Sequence, residues 1–123
     1  MTAPILHIDE LEFTRDLRHG EKFEAKLAPV APRLGARKLG YNVTTVPPGK
    51  RAFPFHNHHA NEEMFFVLEG EGTVSLDGVD HAVRKGSLVH IPPGVVHGAK
   101  GRMRVLVVGI PDISDEDLFF PES

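Results

Sequence analysis

The sequence predicts an all-β domain whose antiparallel strands close into a sandwich or barrel. Three observations carry this. Short runs rich in β-branched and aromatic residues recur at intervals of about 8–12 residues. Turn chemistry separates them: Pro47-Pro48-Gly49, Asp77-Gly78, Gly86 and Pro92-Pro93-Gly94. Pro29 and Pro32 exclude a long helix in the opening third, because proline removes a backbone donor and clashes with the preceding turn.

At 123 residues the chain is one domain, long enough for a real core and too short for two. Residues 1–36 mix apolar and acidic positions without a clean period, and we expect an arm with one or two short strands lying on the barrel or on a partner subunit. The barrel core is expected over residues 37–111. Within it, Leu39, Tyr41, Val43 and Thr45 alternate with Gly40, Asn42 and Thr44, which suits a strand ended by the Pro-Pro-Gly turn. Met64 to Leu68 reads as a buried strand. Thr73 to Leu76 and Val79 to Val83 flank Asp77-Gly78, a pair that tolerates positive φ at both positions of a hairpin turn. Ser87 to Ile91 is a short strand, Val95 to His97 begins another, and Arg102 to Gly109 is the last. The tail, residues 112–123, is acidic and then apolar at Leu118, Phe119 and Phe120; Ser114 followed by Asp117 suits the cap of a single helical turn.

Composition narrows the function classes. The chain is 41% hydrophobic and 25% charged, as in an ordinary soluble globular protein. With no cysteine it has no disulfide framework, thiolate metal site or cysteine nucleophile. The start has neither a basic head nor an apolar run, and no segment approaches the ~18 apolar residues of a membrane span, so a cytoplasmic location without membrane contact is expected. A net charge of −3 leaves no electrostatic footprint for nucleic acid.

The chemistry concentrates between Gly49 and Gly70. His56 and His58 stand two residues apart, and Glu63 follows five residues later. In an extended chain side chains two apart share a face, with Cα atoms about 6.6 Å apart, so two imidazoles reach one ion at about 2.0–2.1 Å each. Glu63 opens the apolar strand that returns beside the first, so a metal site on adjacent strands is expected. Glu62 is the register alternative to Glu63. His59 points off the site face and reads as solvent-exposed. His81 and His90 sit on strands and either line the pocket or are satisfied structural histidines. Phe65 and Val67 share parity with Glu63 and should face the interior; Phe53, Phe55, Met64, Phe66 and Leu68 take the opposite face. Lys50, Arg51, Lys100, Arg102 and Arg104 read as a solvated rim.

A second element, Gly86-Ser-Leu-Val-His-Ile-Pro-Pro-Gly-Val-Val-His97, joins the first in a pattern that resembles the cupin family. The family's first motif has a glycine, His-x-His, three or four residues, Glu, six residues and Gly; Glu63 has the required spacing to Gly70, which favours it over Glu62. Its second motif has Gly, five residues, Pro-x-Gly, two residues and His, matched by Gly86, Pro92, Gly94 and His97. The chain departs from the pattern with six residues rather than five between Gly49 and His56, Ser87 in place of an Asp, and Gly101 in place of the closing Asn. The resemblance implies a double-stranded β-helix, or jelly-roll, barrel holding one divalent metal ion through His56, His58, Glu63 and His97.

Three imidazoles and one carboxylate suit Zn, Fe, Ni, Mn, Co or Cu and leave positions open for a small molecule. The expected function is a metalloenzyme acting on an oxygen-rich small molecule, of dioxygenase or sugar-phosphate isomerase type; the alternative is a non-catalytic small-molecule or sugar-binding protein. Tyr41 is the single tyrosine, which disfavours an epimerase built on a His–Tyr pair. The apolar outer-face residues, together with the arm and tail, predict a homodimer with Phe53 or Phe55 at its centre, burying at least ~800 Å² per subunit. The competing expectation is that arm and tail fold back over the same face.

Overall fold

Asp77 and Gly78 turn the chain with φ of 48° and 83°, the doubly positive pair a two-residue hairpin requires. The strands they join, Glu62–Leu76 and Val79–Arg84, are the last two in the order of the main sheet. The structure, a computed structural model, describes residues 5–19, 23–36, 39–50, 57–58, 62–110 and 118–119, with the backbone alone for 17–19, 23, 57–58 and 118–119. Its strands are β1 (Arg15–His19), β2 (Phe23–Pro29), β3 (Gly40–Val46), β4 (Asn57–His58), β5 (Glu62–Leu76), β6 (Val79–Arg84), β7 (Leu88–Ile91), β8 (His97–Ile110) and β9 (Leu118–Phe119). Helix among the described residues amounts to a 3-10 turn at Ile8–Glu10 and one short helix, α1 (Ala31–Leu34), which carries Pro32 in its first turn.

All strand pairings are antiparallel, and the main sheet runs β1-β2-β3-β8-β5-β6 with β7 also on β5. The arm's hairpin therefore extends the sheet, with Lys26 opposite Thr45 and Pro29 opposite Asn42. The fold is the all-β jelly roll that the sequence implies.

Two expected strand breaks are absent. β5 runs unbroken for 15 residues through Gly70 and Gly72, and β8 for 14 through Gly101. These glycines are bends, not ends. Gly72 and Gly101 are register partners, and a Cβ on Gly101 would fall 2.5 Å from the Gly72 Cα and 2.7 Å from the Glu71 carbonyl oxygen. Side-chain-free backbones can approach this closely, so both strands fold over together.

A bulge at Leu68, where the β5–β8 register shifts between Val67 and Glu69, changes the parity of β5. Before it Glu63, Phe65 and Val67 are buried; after it Val74 is. Together with Val83, Ile91, Met103 and Val105, the apolar members of this set form the core between the folded halves of the sheet. On the outer face the arm lies back over the sheet. Leu6, Ile8 and Leu11 and, across from them, Val43, Leu68 and Leu106 line a groove of about 250 Å³. Arg104 belongs here and not to a solvated rim: it lies mid-strand on β8, half-buried, with its guanidinium 5.4 Å from the centre of the Phe13 ring.

The Ser114–Asp117 segment, the Phe53 and Phe55 side chains and residues 51–56 lie outside the described residues. Leu118–Phe119 is a strand, and it pairs with β4 so that His58 stands opposite Leu118.

Candidate functional site

Glu63, the second residue of β5, lies between two neighbours, Ile91 on β7 and Gly109 on β8. His97 begins β8 at the other end of the sheet, opposite Leu76. The bend through the glycines turns one half of the sheet over the other and brings these two side chains together inside. Glu63 is 3% exposed and His97 1%, with His97 Nε2 3.6 Å from Glu63 Oε2. The Phe65 ring packs edge-on against the imidazole at 6.0 Å.

His97 has a defined orientation. Its Nδ1 lies 3.0 Å from the Val95 carbonyl oxygen, which only accepts, so Nδ1 donates. In the neutral ring Nε2 then carries the lone pair, and that lone pair is turned toward a carboxylate oxygen at a distance longer than a hydrogen bond. Two buried electron-pair donors face each other at a spacing that suits a cation held by both at about 2.0–2.2 Å. A ligating histidine whose other nitrogen donates to a backbone carbonyl is the usual arrangement at metal sites. The donor set fits a divalent metal ion.

Of the two candidate carboxylates, Glu63 is the interior one. Glu62 is exposed and bonds the equally exposed His90, Oε2 to Nε2 at 2.6 Å. His90 therefore does not line the interior, and His81 is exposed as well. His56 and His59 lie outside the described residues, and His58 is described only as a backbone position on β4. Among the described residues no group of three or more histidines and carboxylates comes together.

The interior has one further polar pair that the sequence reading passed over. Asn42 and Thr44 stand on β3 opposite Val107 and Val105, residues of the inward-facing set of β8. The Thr44 hydroxyl donates to Asn42 Oδ1 at 2.7 Å, a typical O–H···O length. With Oδ1 engaged, the amide NH₂ is the end of Asn42 that can donate. The available signal was parity: Asn42 and Thr44 are polar residues two apart on β3, opposite Val107 and Val105.

Known proteins share this fold. A family model for the cupin domain matches residues 42–109. An uncharacterised protein of Methanocaldococcus jannaschii is 33% identical over 76 residues, 58% of this chain and 60% of that protein, so the chain spans less than two thirds of this relative. A crystal structure from Acidithiobacillus ferrooxidans, provisionally assigned as a sugar phosphate isomerase, superposes with TM-score 0.78 at 22% identity over 87% of this chain and 74% of that one. A predicted oxalate decarboxylase from Thermotoga maritima superposes with TM-score 0.74 at 20% identity over 87% and 98%. At these identities the two structures speak for the fold, and the family model, which spans more than half of the chain, speaks for descent. The chain is a member of the cupin family.

Proposed function

We propose that this protein holds one divalent metal ion through His56, His58, Glu63 and His97 and presents it to an oxygen-rich small molecule inside the barrel. The observation that carries the reading is the buried Glu63–His97 pair at 3.6 Å with His97 Nδ1 tied to the Val95 carbonyl. A buried carboxylate and a buried imidazole turned toward each other are the donor types that hold a divalent ion. When bound, such an ion supplies Lewis-acid polarisation of a ligand oxygen. The chain's own residues bind and orient. Phe65 and Val67 exclude water from one wall, and the Asn42 amide offers N–H donors to a second oxygen of the ligand. The similar folds include proteins described as acting on a sugar phosphate and on oxalate, both oxygen-rich, which supports this ligand class. An isomerase or dioxygenase is the catalytic form of the reading, in a cytoplasmic protein that takes no nucleic acid.

One observation favours a non-catalytic binder as the second reading. Among the described residues of the inner face, the polar side chains besides Glu63 and His97 include Asn42 and Thr44, neither of which exchanges protons near neutral pH. Metal analysis of protein purified without a polyhistidine tag tests the common part. About one ion per chain is expected, and an ion-free protein that takes up none of zinc, iron, nickel, manganese or cobalt would sink it. Iron would favour oxygenase chemistry.

The homodimer belongs to the same reading. On the outer face Leu88 is 74% and Ile110 54% exposed, beside half-buried Met64 and Phe66, so the arm leaves an apolar area uncovered. Light scattering at micromolar concentration distinguishes a dimer from the 13.6 kDa monomer.

A further inference from the structure

We propose that Asp77, at the exposed tip of the β5–β6 hairpin, is the residue that positions His97, an assignment that rests on the metal reading above. Asp77 is the one non-glycine residue with positive φ among the described residues. Its backbone N–H donates to the Val96 carbonyl at 2.8 Å, and its carboxylate Oδ1 accepts from the Val96 N–H at 2.9 Å. A single residue thus holds both backbone polar groups of Val96. The next residue is His97, whose ring is tied to Val95 on the other side of that clamp, while the Val95 N–H donates to Pro92 at 3.3 Å. The turn at Pro92, the clamp at Val96 and the Nδ1 bond form one connected path from hairpin tip to imidazole. Restricting the backbone immediately before His97 fixes where Nε2 points before any ion arrives.

The bland alternative is that Asp77 serves only the turn. Type I′ turns accept Asn, Asp and Gly alike at this position, so the alternative predicts that Gly is as good as Asp. The positioning role predicts otherwise, because Gly keeps the turn but removes the acceptor for Val96, and Asn restores it. Groups hydrogen-bonded directly to a metal ligand typically change metal affinity by about 10–100-fold, and Asp77, one residue removed, is expected at the lower end.

The test uses the full chain and zinc, in competition with a chromophoric chelator, at a temperature well below the melting midpoint of each variant. Asp77→Gly is expected to bind zinc at least about tenfold more weakly, and Asp77→Asn to stay within about threefold of the parent. Equal affinity for Asp77→Gly and the parent, or an Asn variant as weak as the Gly variant, overturns the assignment. A second measurement separates this from the metal reading itself. Nitrogen-15 shifts of the His97 ring in metal-free protein report whether Nδ1 carries the proton. In Asp77→Gly the ring signals should move toward a mixture of tautomers; unchanged signals overturn the assignment whether or not zinc binds. A parent protein that takes up no zinc or other divalent ion overturns the metal reading instead.

Discussion

Glu63 and His97 stand near opposite ends of the longest strand pairing described in the molecule, yet their side chains are 3.6 Å apart. Glu63 pairs with Gly109 and His97 with Leu76, so a flat ladder would separate them by roughly 40 Å at about 3.3 Å per residue. Their meeting is a direct measure of how far the sheet folds over. The site is made by curvature.

Charge at the buried position should matter and charge at its neighbour should not. Glu63→Gln keeps the shape and removes the anion, and we expect metal affinity to fall by at least about 10–100-fold. Glu62→Gln breaks only an exposed pair with His90, worth under about 1 kcal/mol, and should leave metal content unchanged. The check is metal analysis after dialysis; the reverse pattern would put the strand register one residue out.

Gly101→Ala should be severe. The added methyl meets the Gly72 Cα and the Glu71 carbonyl, both backbone, at a φ of 128° where side chains are strained. Overpacking and strain together point to a loss of about 2–5 kcal/mol in urea denaturation. A loss below about 1 kcal/mol would mean that the strands do not pack as tightly as described.

Phe13→Ala should release the arm. The ring covers Arg104, and removing it costs a cation–π contact and buried apolar area, together about 1–2 kcal/mol. Hydrogen exchange should quicken at the Glu10 and Leu11 amides, which bond His7 and Ile8, and stay unchanged in β5. Unaltered exchange at those amides would refute the anchor.

Asn42→Leu should separate ligand from metal. Zinc content should not change, because Asn42 is not one of the four proposed ligands, whereas affinity for oxalate or a sugar phosphate, whichever the zinc-loaded protein binds, should fall about tenfold with the loss of the amide donors. A loss of zinc instead would show that Asn42 supports the ion.

The fold was legible because its signals are local. Asp77-Gly78 and the two Pro-Pro-Gly turns act within four residues, and the alternation from Glu63 to Val67 reports one buried face. Legibility failed where the determinant was distant. Gly70, Gly72 and Gly101 look like strand ends in sequence, and only the partner strand shows that they are places of close approach. Arg104 looked like rim charge because nothing local says that Phe13 covers it. At the site, the spacing to Gly70 selected Glu63 over Glu62, and the structure buries Glu63. Asn42 and Thr44 went unread because one strand's parity does not say which face is inside. Asp77 was legible as a turn residue, but its bond to Val96 crosses 19 positions of chain.

The pairing of His58 with Leu118 has a consequence for how the two sides of the site behave in time. Glu63 and His97 belong to β5 and β8, which share a long continuous ladder; β4 and β9 share two residue pairs. A two-pair ladder is expected to open at a lower free energy than the long one. In the proposed site, one side thus rests on the long ladder and the other, among the described residues, on two register pairs. An arriving ion would meet the long-ladder side first and recruit the other, so amide exchange at Asn57 and His58 should slow on loading while exchange in β5 stays as it was.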